Sequence, residues 1–100
     1  MADKLIMTVD AQIAALVPRF LARRAADVAQ IRTALASADF EAIRVAGHGM
    51  KGAGAGYGFP EISRLGGAIE AGARQRDAAA ITHLVASLDE YLARIEVKYG

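Results

Sequence analysis

Arg44-Val45-Ala46-Gly47-His48-Gly49-Met50-Lys51-Gly52-Ala53-Gly54-Ala55-Gly56-Tyr57-Gly58 is the stretch on which the fold turns. It holds six glycines, and each disfavours a helix by about 1 kcal/mol against alanine. Either the segment is a loop, or it is a helix whose surface has to stay bare. As a loop it would contain Gly47-x-Gly49-x-x-Gly52, a match to the dinucleotide-binding fingerprint. That fingerprint works between a strand and a helix of a βαβ unit, with an acid about 20 residues on. Ile43-Arg44-Val45-Ala46 is a poor strand, and no second strand follows. A Walker A loop is excluded because no Gly-Lys-Ser/Thr occurs.

Wound as a helix at about 100° per residue, the stretch sorts into two faces. Ile43, Ala46, Gly47, Met50, Ala53, Gly54 and Tyr57 gather on one side as a core stripe. Arg44, His48, Lys51, Gly52 and Ala55 fall on the other. His48 then faces away from the core, with Lys51 one turn along and Gly52 leaving the imidazole unshielded. An uncrowded nucleophile that serves a bulky partner needs such a surface.

The flanking sequence predicts helices on both sides. Asp10 caps a short helix to about Leu16, and Pro18 suits the first turn of the next. Leu21, Ala25, Val28, Ile31 and Leu35 give that helix an apolar stripe, ending near Ser37-Ala38-Asp39. Asp39 is the N-cap for the helix that begins at Phe40 and enters the glycine-rich stretch. Pro60 and Glu61 open another helix, with Ile62, Leu65, Ile69 and Ala73 on its inner face. Asp77 caps the last, in which Ile81, Leu84, Leu88, Leu92 and Ile95 repeat every three to four residues. No segment with period two is convincing. The expectation is an all-α domain over residues 1–100, an antiparallel four-helix bundle with a short additional N-terminal helix.

Composition narrows the function classes. Of the 100 residues, 54% are hydrophobic, and alanine supplies much of that share, as befits helices. A net charge of +1 lacks the basic excess of a nucleic-acid binder. The absence of cysteine removes disulfides, thiolate nucleophiles and Cys-ligated zinc. The start carries an early acid, Asp3, and too short an apolar run for a signal peptide. No stretch approaches the roughly 20 apolar residues that span a bilayer, so a cytoplasmic location is expected. Arg19, Arg23 and Arg24 read as a solvated basic patch, His83 as a solvent-facing side chain, and Tyr57 and Phe59 as core.

His48-x-x-Lys51-Gly52, followed by Gly58, Ile62, Leu65, Ile69 and Glu70, resembles the signature of histidine-phosphotransfer (HPt) domains. That family's pattern is approximately His-x-Leu-Lys-Gly, a glycine ten residues after the histidine, then spaced leucines and a Leu-Glu pair. Here Met50 replaces the usual leucine, Ile69 stands for the last one, and Gly47 occupies a place often held by alanine. The resemblance implies a phosphocarrier that is not itself an enzyme. His48 would accept a phosphoryl group from a receiver-domain aspartate or a histidine kinase and pass it on. Lys51 would face the phosphoryl oxygens, Glu70 would hold the imidazole, and Arg74 would stand near the phosphate. Arg44, Val45, Gly52 and Ala55 would meet the partner. No cofactor is expected in this chain, and Mg²⁺ is expected only in the receiver. The alternative is a helical interaction module that docks a receiver or kinase without transfer.

Overall fold

The computed structural model describes residues 4–100, and Asp3, the early acid of the start, lies outside them. Four helices make up most of it: α1 (Val17–Ala36), α2 (Phe40–Ala53), α3 (Pro60–Arg74) and α4 (Ala78–Arg94). Their starts follow local chemistry. Asp39 accepts from the Ala42 N–H and Asp77 from the Ala80 N–H, each supplying an otherwise orphaned helix donor with an acceptor. Prolines occupy the first turns of α1 and α3. The connections α1–α2 and α3–α4 are built alike. Ala38 and Arg76 adopt left-handed backbone at φ 54° and 55°. Two reversed hydrogen bonds close each helix end: Asp39 N–H to Ala34 and Ala38 N–H to Leu35, then Asp77 N–H to Gly72 and Arg76 N–H to Ala73.

The expected N-terminal helix is a 3-10 segment, Ala11–Leu16, capped by Asp10 and running directly into α1. The segment after α2 is also 3-10, Ala55–Tyr57, and it ends at Gly58 with φ 89°. The glycine-rich stretch is therefore helical through Ala53, as its two faces predict.

The all-α expectation needs a correction. Strands β1 (Leu5–Val9) and β2 (Ile95–Tyr99) pair in parallel, Leu5 opposite Ile95 and Val9 opposite Tyr99. Leu5, Met7 and Val9 turn inward in alternation, with Ile6 and Thr8 outward. Ile95 consequently leaves the α4 stripe. Its backbone is extended at φ −70°, ψ 140°, and the helix stops at Arg94.

The core gathers the inner faces of all four helices. Ile31, Ile43, Met50, Ile62, Leu65, Ile69, Ile81 and Leu88 are fully buried, and Phe59 closes one end. Phe20 stacks on both Tyr57 and Phe59, with ring centroids 4.4 and 5.7 Å apart, so both residues serve packing.

On α1 the expected stripe holds at Val28 and Ile31, with Leu21 and Leu35 part-buried against the core, but it is incomplete. Ala25 is exposed, and the inward positions are Val17, Phe20, Arg24, Asp27, Val28, Ile31 and Ala34. Arg24 thus leaves the solvated patch predicted for it. Its Nε lies 2.9 Å from Asp27, and its guanidinium stands over the Phe20 ring. Burial pushes the Asp27 carboxyl above its usual value, against the opposing charges of Arg24 and Arg23.

Helices α2 and α3 are the closest pair, and they are antiparallel. Gly47 lies against Gly66 and Glu70, while Gly54 lies against Ser63 and Phe59. A Cβ on Gly47 would come within 2.7 Å of the Glu70 nitrogen, and one on Gly66 within 2.6 Å of the Lys51 nitrogen. The two backbones therefore touch, and no side chain fits between them. That approach sets where His48 stands relative to α3.

Candidate functional site

The site begins with the pitch of α2. Gly47 and Met50 point into the core, so His48, between them in sequence, is carried outward with Gly49, Lys51 and Gly52. The His48 side chain is 69% exposed. A Cβ on Gly49 or Gly52 would meet nothing within 4 Å, so neither glycine is required by internal packing. The bare surface beside the imidazole is open to solvent.

From the facing helix, Glu70 rises beneath the ring. Its side chain is only 5% exposed, and Oε2 lies 3.0 Å from Nδ1 of His48. Two cations share the carboxylate with the ring. Arg74 Nη2 donates to Oε2 at 3.1 Å, one turn along α3, and Lys51 Nζ stands 3.7 Å from Oε1. Gly67 leaves room for the Lys51 stem, whose Cδ would be 3.5 Å from a Cβ at that position. Lys51 and Arg74 keep most of their surface in water, 60% and 64% exposed.

Burial works to raise the Glu70 pKa, but the His48 hydrogen bond and the charges of Arg74, His48 and Lys51 outweigh it. The net shift is downward from 4.5. Glu70 is therefore a carboxylate at neutral pH, and a carboxylate only accepts hydrogen bonds. The contact at Nδ1 requires that nitrogen to carry the proton. In the neutral ring the lone pair then lies on Nε2, the nitrogen turned away from Glu70. The arrangement can present one imidazole nitrogen outward, with a buried anion behind it and two largely exposed cations beside it.

Of the residues singled out from sequence, His48, Lys51, Glu70 and Arg74 come together in this cluster. Gly52 and Ala55 are exposed along the same side of α2 and its 3-10 extension, and Val45 is 56% exposed. Arg44 is held one turn before His48 by a two-pronged contact with Glu41, its Nε donating at 3.1 Å. His83 is exposed on α4, away from the core stripe.

Sequence reasoning missed Ser63. Its hydroxyl donates to the Lys51 carbonyl at 2.9 Å and accepts from the Ala55 N–H at 2.8 Å, securing the end of α2 from α3. No sequence signal marks this role, because the partners lie 8 and 12 residues away.

No curated protein and no solved structure matches the chain. The Hpt domain family does match, its model covering residues 15–96, which includes all four helices and every residue of the cluster. Hpt domains are phosphocarrier modules of histidine phosphotransfer in two-component signalling, and this chain belongs to the Hpt domain family.

Proposed function

We propose that this protein is a phosphorelay intermediate in which Nε2 of His48 accepts a phosphoryl group and passes it on. The observation that carries the proposal is Glu70 Oε2 at 3.0 Å from Nδ1 of an otherwise exposed imidazole. The donor is an aspartyl phosphate on a receiver domain or a histidine kinase. As Nε2 attacks phosphorus, the bond to the leaving group breaks: from a receiver the aspartate departs as carboxylate, and from a kinase's phosphohistidine the imidazole nitrogen departs with the bonding pair. The ring keeps its Nδ1 proton and becomes cationic, and the buried Glu70 charge offsets that developing charge. Lys51 can swing from Glu70 to the phosphoryl oxygens, and Arg74 adds positive charge at the same edge.

The remaining chemistry belongs to the partner. Phosphoryl transfer needs alignment and charge compensation more than covalent help. The receiver supplies the acidic pocket and its Mg²⁺, while this chain contributes a held imidazole. Arg44, Val45, Gly52 and Ala55 line the face that the partner covers. Residues 1–100 act as one antiparallel four-helix unit. A cytoplasmic location fits, since no helix among the described residues is long and apolar enough to cross a membrane.

Incubation with a panel of phosphorylated receivers tests the proposal. The expected product is an acid-labile, alkali-stable phosphate that is lost in His48→Gln. Undiminished labelling of His48→Gln would overturn the assignment. A protein that binds receivers but never becomes labelled would be a docking module without transfer.

A further inference from the structure

The two flanks of α2 differ in charge. On the α3 side, an open groove of about 340 Å³ is lined by Phe40, Glu41, Arg44, Ala73, Arg74 and Arg76. On the α1 side, a groove of about 360 Å³ has no lysine or arginine in its lining and carries Asp39. The basic groove adjoins the imidazole, because Arg44 lies one turn before His48 on α2 and Arg74 one turn after Glu70 on α3.

The three guanidinium groups are not equally engaged. Arg44 is paired with Glu41 and Arg74 with Glu70. Arg76 makes no ion pair among the described residues, and its guanidinium lies over the Phe40 ring, 5.1 Å from the centroid. It is held there from a left-handed backbone position, one that glycine would occupy with less strain. A long cation therefore stands at a position where local conformation favours glycine.

We infer that the α2–α3 groove is a docking site for an acidic segment of the phosphoryl-exchanging partner, with Arg76 as its uncommitted anchor. The partner's identity as a receiver rests on the phosphotransfer proposal above, whereas the basic character of the groove does not. With Arg44 already paired to Glu41 and Arg74 to Glu70, Arg76 is left uncompensated in the lining and favours a segment that sets an Asp or Glu side chain opposite it. Because the groove on the α1 side has no lysine or arginine in its lining, this charge difference also sets the partner's orientation. Its acidic segment lies toward α3 and the α3–α4 connection while its reactive aspartate meets His48.

Transfer kinetics with the receiver that labels the protein fastest test the inference, using Arg76→Glu and Arg76→Gly. The glycine variant suits the left-handed backbone, so it removes the cation without disturbing the connection. Arg76→Glu should raise KM for the phosphorylated receiver about tenfold at low ionic strength, with kcat within about twofold. The gap should shrink to about twofold near 0.5 M salt, where the screening length is only a few ångströms. Arg76→Gly should fall between wild type and Arg76→Glu. An unchanged KM at low salt, or a loss confined to kcat, would overturn the docking site.

If neither a receiver nor a histidine kinase labels the wild-type protein, phosphotransfer fails as a reading, and the groove is still tested by NMR titration with acetylated hexaglutamate. Amide shifts concentrated at Phe40–Arg44 and Ala73–Arg76, and abolished by Arg76→Glu, would support the groove. Shifts spread equally over Arg19 and Arg23, or absent altogether, would refute it.

Discussion

Gly47 and Gly54 face α3 so closely that any Cβ would collide with its backbone, whereas Gly49 and Gly52, on the same helix, face nothing within 4 Å. Both sets cost helix propensity by similar amounts, about 1 kcal/mol per residue. On the seam the cost is offset by bringing Glu70 beneath His48. On the open side no contact within the protein offsets it, and the gain is an imidazole that a second protein can reach. The contrast separates what the fold needs from what the proposed function needs, although both are written with the same amino acid.

The seam should respond most strongly to substitution. Gly66→Ala places a methyl 2.6 Å from both the Lys51 nitrogen and the Met50 Cβ, so the helices must part. A loss of about 2–3 kcal/mol is expected, lowering Tm by roughly 10–20 °C in thermal unfolding. An unchanged Tm would mean that the two backbones are not in contact. Next comes the group that the seam positions. Glu70→Ala should slow transfer by roughly 10- to 100-fold, the scale on which loss of an orienting partner acts on a reactive imidazole. A wild-type rate would reduce Glu70 to a structural ion pair.

The open face should respond with the opposite sign in stability. Gly52→Ala adds a methyl in free space on an exposed helix surface, and should gain about 0.5–1 kcal/mol. At the same time it should slow transfer from a receiver, because the added methyl crowds the proposed interface. A variant that is both more stable and fully active would show that the bare surface serves no partner.

The smallest expected effect compares two buried carboxylates. Glu70 has its folded pKa lowered, so its stabilisation is complete above the ordinary value of 4.5 and lost as pH falls through the folded pKa. Asp27 has its folded pKa raised, so acidification from neutral pH toward 3.8 favours the folded state. Denaturant unfolding should therefore show wild type losing its advantage over Glu70→Gln below about pH 4.5, while wild type gains relative to Asp27→Asn. Parallel pH profiles for both pairs would contradict the opposed environments.

Much of this contrast was legible in the sequence, and the limits are instructive. Asp39, Asp77, Pro60 and the stripe Ile62, Leu65, Ile69, Ala73 announce their helices through local rules, and the structure places each as expected. Helical projection alone put Gly47 inward and His48 outward. What made Gly47 necessary, the backbone of Gly66, lies on another helix and leaves no trace near residue 47. The α1 stripe missed at Ala25 because a count of apolar letters passes over Arg24 and Asp27, which turn inward as a pair. The strands escaped notice because parallel pairing joins residues some 90 positions apart, and Ile95 continued the α4 period by coincidence. Glu70 opposite His48 was expected only through family resemblance, since neither spacing nor periodicity joins residues on separate helices.

The most direct test is to find the nitrogen that carries phosphorus in the phosphorylated, ¹⁵N-labelled protein. Bond formation at Nε2 of His48, with the Nδ1 proton retained and shifted by its contact with Glu70, is the predicted result. Phosphorus on Nδ1, or on His83, would contradict the account.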